Sequence, residues 1–229
     1  MIAPLVLEDE WLAALEELPV WAPPALHLVV LAPHPDDETL GAGGFIAAQC
    51  LHGRDVLVVA ATDGESAYGY DPNLGTVRES EQRDALARLG VPAENIVRLR
   101  LPDSDIASHE AQLVDHLLTY VTKDTHLVAP WRWDFHPDHE ACGRAAEWVA
   151  NRTGARLTSY FFWTWHRGTT ATVEALTLRS FPLNPHHLRS KSEALRCHRS
   201  QLTHESGEPI LPDNLLAPAR RPFEVFCIS

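Results

Sequence analysis

From residue 26 onward, short runs of apolar residues alternate along the chain with segments that have the period of a helix. The runs at 26–32 and 56–61 are continuous and rich in Val and Leu, which is typical of parallel strands buried on both faces. Shorter runs of the same kind predict strands at 95–100 and 125–130. The segments between and after these runs predict helices at about 39–52, 78–89, 109–122 and 138–152.

This alternation implies a parallel sheet with right-handed crossover connections. We therefore predict an α/β fold, a Rossmann-like three-layer α/β/α domain with a mostly parallel sheet. After residue 155 the pattern changes, because β-branched and aromatic residues predict longer strands at 157–165 and 173–182. A helix is predicted at about 185–201.

No repeat, low-complexity tract or linker interrupts the sequence, so we predict one domain over residues 1–229. The first 25 residues form an acidic arm, with a short helix predicted at about 9–18 on the outside of the domain. We predict the core of the domain at about 26–205. A Pro-rich tail at 206–229 follows it.

Charge and composition narrow the classes of partner. The chain has 19 Lys and Arg against 31 Asp and Glu, a formal net charge of −12, which disfavours nucleic acid and anionic membrane surfaces. No apolar run approaches the ~20 residues of a membrane span, and the acidic N-terminus lacks the basic start of a secretion signal. The four cysteines are far apart and form no Cys-x-x-Cys pair. We expect a cytoplasmic protein with no integral membrane segment; a homo-oligomer is compatible with the sequence, which does not specify the oligomeric state.

The first predicted strand runs directly into Pro-His-Pro-Asp-Asp-Glu at 33–38. In open α/β sheets, ligands bind beyond the carboxyl ends of the strands, where this segment lies. Two prolines restrict the backbone around His34. Asp37 follows three residues later, a spacing that lets the side chains of His34 and Asp37 reach one common point. Acidic residues at a helix N-terminus often only complement the helix dipole, but that role does not account for a histidine held between two prolines.

A second cluster follows the predicted strand at 125–130, where His-Pro-Asp-His occupies 136–139. Alone it would suit a polar helix cap. Two such clusters at strand ends favour a metal site, because catalytic zinc sites use three His, Asp or Glu ligands and leave one position for water. His34 and Asp37 would supply two ligands, and by spacing either His136 or His139 completes the set.

Together the two clusters resemble the motifs of the PIG-L (LmbE-like) zinc-dependent de-N-acetylases. Further elements similar to that family occur in its order: Thr62-Asp63-Gly64-Glu65, Arg78-Glu79-x-Glu81, and Lys191-x-x-Ala194 with Ser200-Gln201. The resemblance covers about residues 26–205. Pro33 is a small departure, since many members carry Ala before the histidine.

The resemblance implies an LmbE-like fold and hydrolysis of the N-acetyl group of a small N-acetylated amino sugar, an N-acetylglucosamine-containing substrate. By position, His34, Asp37 and His139 match the metal ligands, with Zn²⁺ as the cofactor. Fe²⁺ or another divalent ion would also suit these donors. Asp36 matches the general base, which takes a proton from the attacking water and delivers it to the amine, and His136 matches a second catalytic residue.

Two charged residues near these motifs have two interpretations each. Asp138 either orients His136 from behind or caps the helix that follows. Arg78 either holds a sugar hydroxyl or a charged aglycone, or forms a surface ion pair with Glu79 or Glu81.

Two other candidates for substrate contact are also ambiguous. Asp63 either lines the rim of the pocket or ties together the long loop at 62–77. Trp131 either forms a platform for a sugar ring or belongs to the core, whereas we predict Trp163 and Trp165 as core residues.

Three alternative functions can be weighed from the sequence. A metal-dependent amidase acting on a thiol conjugate or another acylated amine would use the same residues. A metal-dependent sugar-binding protein without turnover would not need a positioned base such as Asp36. A nucleotide-binding oxidoreductase shares the fold class, but Gly41-Ala-Gly43-Gly44 lacks the Gly-x-Gly-x-x-Gly spacing, and we expect these residues to allow close packing of a helix on the sheet.

Overall fold

The computed structural model describes residues 4–203 and 207–228. Strands of one sheet run through these residues: β1 (His27–Ala32), β2 (Val56–Ala60), β3 (Ile96–Arg98), β4 (Thr125–Pro130), β5 (Arg156–Tyr160), β6 (Leu178–Pro182) and β7 (Phe223–Ile228). Their order across the sheet is β3-β2-β1-β4-β5-β7-β6. Strands β1 to β5 are parallel, and β7 pairs antiparallel with both β5 and β6.

Helices cover both faces of this sheet, which confirms the predicted three-layer α/β architecture with a mostly parallel sheet. They are α1 (Glu8–Leu15), α2 (Asp37–Leu51), α3 (Pro72–Leu89), α4 (Glu110–Leu117), α5 (Pro137–Thr153), α6 (Thr164–Arg167), α7 (Thr170–Glu174), α8 (Pro185–Leu195) and α9 (Arg199–Leu202). Helices α2, α3 and α8 pack on one face, and α4 and α5 pack on the other. Along β1, Val30 faces the first core and Leu31 the second, as expected for a strand buried on both sides.

The strand predicted at 157–165 is too long: β5 ends at Tyr160 and α6 begins at Thr164. The cause is the buried carboxylate of Asp134, which accepts hydrogen bonds from three successive backbone N–H groups that end at Thr164, at 2.9 to 3.2 Å. These bonds turn the chain away from the sheet.

The next two elements are also shorter than predicted. In the strand predicted at 173–182, only β6 is extended, because the preceding segment forms α7 with a capping box at Thr169. The helix predicted at 185–201 is divided into α8 and α9, and the turn between them buries His198.

In contrast, the helix predicted from residue 78 begins earlier, at Pro72. The carboxylate of Asp71 caps it by accepting the backbone N–H of Asn73 at 2.8 Å, and proline suits the first helical position. The predicted loop at 62–77 is therefore shorter, and Arg78 lies within the helix.

Both ends of the described chain join the sheet layer. The predicted tail contains β7, which lies between β5 and β6, while the predicted boundary at 205–206 lies outside the described residues. In the arm, α1 buries Trp11, whose Nε1 donates to the carbonyl of Trp165 at 3.0 Å. Among the described helices, none has the length and apolar character that a bilayer crossing requires.

Candidate active site and metal centre

The two predicted clusters meet because β1 and β4 are neighbours in the sheet. β1 ends at Ala32 and α2 begins at Asp37, while β4 ends at Pro130 and α5 begins at Pro137. Both connections therefore open into the same crevice beyond the carboxyl ends of the strands, the usual place for a ligand in such folds.

Three predicted ligands, His34, Asp37 and His139, come together in this crevice. Asp37 Oδ2 lies 3.0 Å from His34 Nδ1 and 3.2 Å from His139 Nε2. One ligand atom from each residue lies within 4.8 Å of the others, an arrangement that could hold a metal ion. Asp37 and His139 are buried, so the group is open to solvent only on the side of His34.

A second carboxylate orients His139. Its Nδ1–H donates to Asp134 Oδ2 at 2.8 Å, a contact typical of metal-binding histidines. Its Nε2 faces Asp37 but has no hydrogen-bond partner among the described residues. Burial lowers the pKa of His139, but the charges of Asp37 and Asp134 outweigh it and raise the pKa to about 9. The space beside Nε2 therefore favours a cation, and these donors fit Zn²⁺ or a similar divalent ion.

Asp138 occupies a position that neither interpretation described. Its carboxylate lies 3.1 Å from His34 Nε2 and accepts the backbone N–H groups of Ser104 at 2.8 Å and Ile106 at 3.1 Å. These donors hold it against His34 rather than His136. The residue that caps α5 is His136, whose Nδ1 accepts the backbone N–H of Asp138 at 3.3 Å. His34, His136 and Asp138 form a second group whose ligand atoms lie within 4.8 Å of one another.

Asp36 lies beside the metal ligands and outside both groups. Its side chain is buried and faces a cavity, with Arg78 Nη2 3.9 Å from its Oδ1. Burial and the neighbouring charge of Asp37 raise the pKa of Asp36 well above its ordinary value, and Arg78 and His34 only partly offset them. A carboxylate with a raised pKa beside a candidate metal site has the properties of a general base.

Arg78 lies inside the protein and not in a surface ion pair. It donates to the carbonyl of Gly64 at 2.7 Å and to Gln201 Oε1 at 2.9 Å, and it lines the same cavity as Asp36. The two glutamates that were its alternative partners bind elsewhere: Glu79 to Arg98 and Arg100, and Glu81 to Ser200.

Asp63 and Trp131 are not brought to the cavity. Asp63 pairs with Arg98 and Arg100, each at 3.3 Å, and so ties its loop to the end of β3. Trp131 packs on Phe161 with their ring centroids 5.6 Å apart, within a hydrophobic cluster.

The cavity has a volume of about 240 Å³ and a lining of mixed character. Its polar residues include Ser66, Asp103 and Ser104, and its apolar residues include Phe162, Trp163, Ile210 and Leu211. Trp165 is buried as predicted, but Trp163 lines the cavity, where its ring stacks on His136 with the centroids 5.7 Å apart and the planes at 17°.

Sequence reasoning missed part of this lining. Asp103 Oδ1 lies 3.3 Å from His34 Nε2. The sequence marks Asp103 only by its position a few residues after β3. Ile210 and Leu211 come from the predicted tail, where no pattern marks them.

The chain is similar in sequence to proteins named as deacetylases. The chain is 32% identical over 166 residues to 1D-myo-inositol 2-acetamido-2-deoxy-alpha-D-glucopyranoside deacetylase of Mycobacterium sp. (strain KMS), which covers 60% of this chain and 54% of that protein. The chain thus spans about half the length of the curated relatives it matches.

Solved structures share the fold at lower identity. The zinc-inhibited form of teicoplanin deacetylase Orf2 has a TM-score of 0.69 at 19% identity, covering 88% of this chain and 97% of that chain. For N,N'-diacetylchitobiose deacetylase from Pyrococcus horikoshii the TM-score is 0.68 at 20% identity, with 98% and 87% covered. Residues 29–150, more than half of the chain and including both clusters, match the family model described as GlcNAc-PI de-N-acetylase, so the chain belongs to the PIG-L family.

Proposed function

We propose that this protein is a metal-dependent hydrolase that removes the N-acetyl group from a small substrate containing N-acetylglucosamine. The observation that carries the proposal is the position of Asp36, a buried carboxylate at the cavity wall next to the His34–Asp37–His139 group. Relatives named as deacetylases of N-acetylated glucosamine compounds support the substrate class. A cytoplasmic location and the oligomeric state stay predictions.

We infer that the metal is Zn²⁺ and that His34, Asp37 and His139 hold it. The unpartnered Nε2 of His139, with Asp134 behind the ring, supports this ligand set. When bound, the ion supplies Lewis acidity, which lowers the pKa of a water toward ~7 and polarises the amide carbonyl. Fe²⁺ is the alternative ion for the same donors.

Asp36 moves the proton in the proposed reaction. Its carboxylate accepts a proton from the attacking water and later delivers it to the nitrogen of the leaving amine, so the amine departs neutral. The raised pKa of Asp36 suits both halves of this role, because a carboxyl group of ordinary pKa would hold the proton too weakly. Arg78 Nη2, 3.9 Å from Asp36 Oδ1, keeps the Asp36 carboxylate in place and limits the rise of its pKa.

His136 stabilises the charge that develops on the acetyl oxygen. Its Nδ1 accepts the backbone N–H of Asp138, so in the neutral ring the proton lies on Nε2. Burial is the main cause that lowers the pKa of His136, to about 3. The ring is therefore a neutral hydrogen-bond donor, which suffices for an oxyanion.

The test is release of free amine from a panel of N-acetylglucosaminides, measured with the metal content of the same samples. We expect Asp36→Asn to lower kcat by about 100-fold or more while the metal stays bound, since a general base contributes about 10²–10⁴-fold. Asp84→Asn, an exposed carboxylate on α3, is the matched control and should change neither quantity. Full activity in Asp36→Asn would refute the assigned mechanism.

Two outcomes would replace the proposed reaction. Release of amine from thiol conjugates, with none from the sugars, would identify the related amidase. Binding of N-acetylglucosaminides without acetate release would identify a sugar-binding protein. Chelation followed by return of Zn²⁺ or Fe²⁺ decides the metal, and His139→Ala should bind neither ion tightly.

A further inference from the structure

Among the described residues, His136 has no carboxylate partner of the kind that often orients a catalytic histidine. Asp138, the residue expected for that role, uses its carboxylate on His34 and on two backbone N–H groups. The backbone N–H of Asp138, which donates to His136 Nδ1 at 3.3 Å, fixes the in-plane direction of the His136 ring. The remaining freedom of the ring must be restricted by what packs on its faces.

Trp163 lies against the His136 ring in an offset stack, with the ring centroids 5.7 Å apart and the two planes 17° from parallel. On the same indole lies the guanidinium of Arg167, whose Cζ is 4.1 Å from the ring centroid. Trp163 and Arg167 are four residues apart at the two ends of α6, so the helix aligns them. A cation over the face of an indole is a favourable contact, and it limits the rotation of Trp163.

Arg167 also holds the backbone that leads into His136. Its Nη1 donates to the carbonyl of Phe135 at 2.6 Å. Phe135 has a φ of 56°, a left-handed conformation that a bulky residue rarely adopts without support. Its ring lies against Gly168, where a Cβ would be 3.3 Å from the Phe135 ring and 2.6 Å from the carbonyl of Thr164.

We propose that Arg167 is a positioning residue for His136. It acts by two routes: through Trp163 on the imidazole face, and through the Phe135 carbonyl on the peptide before His136. This inference rests on the proposed function, because it gives His136 the role of oxyanion donor. It goes further in naming a residue outside the cavity lining that sets the donor's direction.

The central variant is Arg167→Met, which keeps the bulk on the indole and removes both the charge and the hydrogen bond. We expect kcat to fall on the order of 10- to 100-fold, as small misplacements of a catalytic group do, with KM and bound metal little changed. Arg167→Lys keeps a cation and a donor and should recover most of the loss. Arg132→Met is the matched control, because Arg132 lies over Trp133 at 4.9 Å in a similar stack away from the cavity.

A double-mutant cycle separates positioning from general stability. If Arg167 acts through His136, Arg167→Met should have little further effect on kcat in a His136→Gln background. An equal loss in both backgrounds, or no loss in the single variant, would overturn the inference.

A measurement on the metal-free protein keeps the inference independent of the proposed reaction. In a sample with ¹³C-labelled histidine, the ring protons of His136, assigned with His136→Gln, should carry the ring-current shift of the stacked indole. In Arg167→Met they should move toward the values of an exposed histidine, whereas Arg132→Met should leave them in place. Unmoved resonances would refute the positioning role, while a moved resonance in a protein without deacetylase activity would refute the proposed function alone.

Discussion

A buried ion pair between α8 and β7 binds the backbone of α2, and removing its cation provides the sharpest test of the fold. Lys191 Nζ donates to the carbonyl of Leu40 at 2.9 Å and to Glu224 Oε1 at 2.6 Å. Glu224 in turn accepts the backbone N–H groups of Gly44 at 2.8 Å and Phe45 at 2.7 Å. In a regular helix the N–H of Gly44 would bind the carbonyl of Leu40. The pair therefore binds backbone groups in the middle of α2.

The expected cost of Lys191→Met follows from what it leaves behind. Both charged side chains are 3% exposed, so solvent screens them little. Removing one partner of such a pair costs about 3–5 kcal/mol, because Glu224 stays charged in the interior and the Leu40 carbonyl loses its donor. That loss is a large part of the ~5–15 kcal/mol that stabilises a typical domain.

Urea unfolding at neutral pH measures this cost as a fall in the midpoint at constant slope. Lys123→Met is the control, since Lys123 pairs with Asp124 at 2.8 Å with both side chains more than 70% exposed, and such pairs contribute ~1 kcal/mol or less. If Lys191→Met costs no more than Lys123→Met, then the pair does not support α2 in the way described. In the double variant with Glu224→Gln, the loss should be smaller than the sum of the two single losses.

Three further predictions concern single buried positions elsewhere in the domain and at the site. Burial lowers the pKa of His126 to about 4, so the unfolded chain takes up a proton near pH 6.5 before the native state does, and stability falls as the pH drops from 6.5 toward 4. His126→Gln should remove about 2 kcal/mol of the loss seen between pH 7 and 5 by urea unfolding, and an unchanged loss would refute the assignment. Asp134→Asn should weaken metal binding by about 10–100-fold in a chelator competition, because Asp134 orients His139; unchanged affinity would show that this contact is dispensable. Gly143→Ala should destabilise by about 1–3 kcal/mol in thermal unfolding, because its Cβ would lie 2.6 Å from the Cα of Arg132, and an unchanged Tm would contradict the close packing there.

The elements around β1 and β4 could be predicted because their signals are local. Each strand is a continuous apolar run, and each is followed by Pro, His and Asp at the start of a helix. The close packing of α2 could also be predicted, from its run of small residues. A Cβ on Gly44 would lie 2.5 Å from the side chain of Leu183, so this contact requires glycine.

The elements after residue 155 were harder to predict because distant partners determine them. The end of β5 depends on Asp134, which is nearly thirty residues away in the sequence. β7 contains Glu224, whose charge interrupts the apolar pattern of a strand and is explained only by Lys191. From the sequence, Trp163 is predicted as a core residue. In the structure, the turn made by Asp134 brings it to the cavity.

The place of β7 bears on the order in which the molecule can be completed during synthesis. The strand follows all the others along the described chain, yet it lies between β5 and β6 and supplies Glu224 to the helix that carries Asp37. Until residues 223–228 have emerged, β6 lacks the strand that joins it to β5, and Lys191 in α8 lacks its counter-charge. A nascent chain can therefore collapse around β1 to β5 as it emerges, but the helix that bears Asp37 becomes rigid only after β7 has joined the sheet. A chain truncated before Phe223 would keep all the candidate metal ligands but would lose the contacts of β7 with β5, β6 and α2.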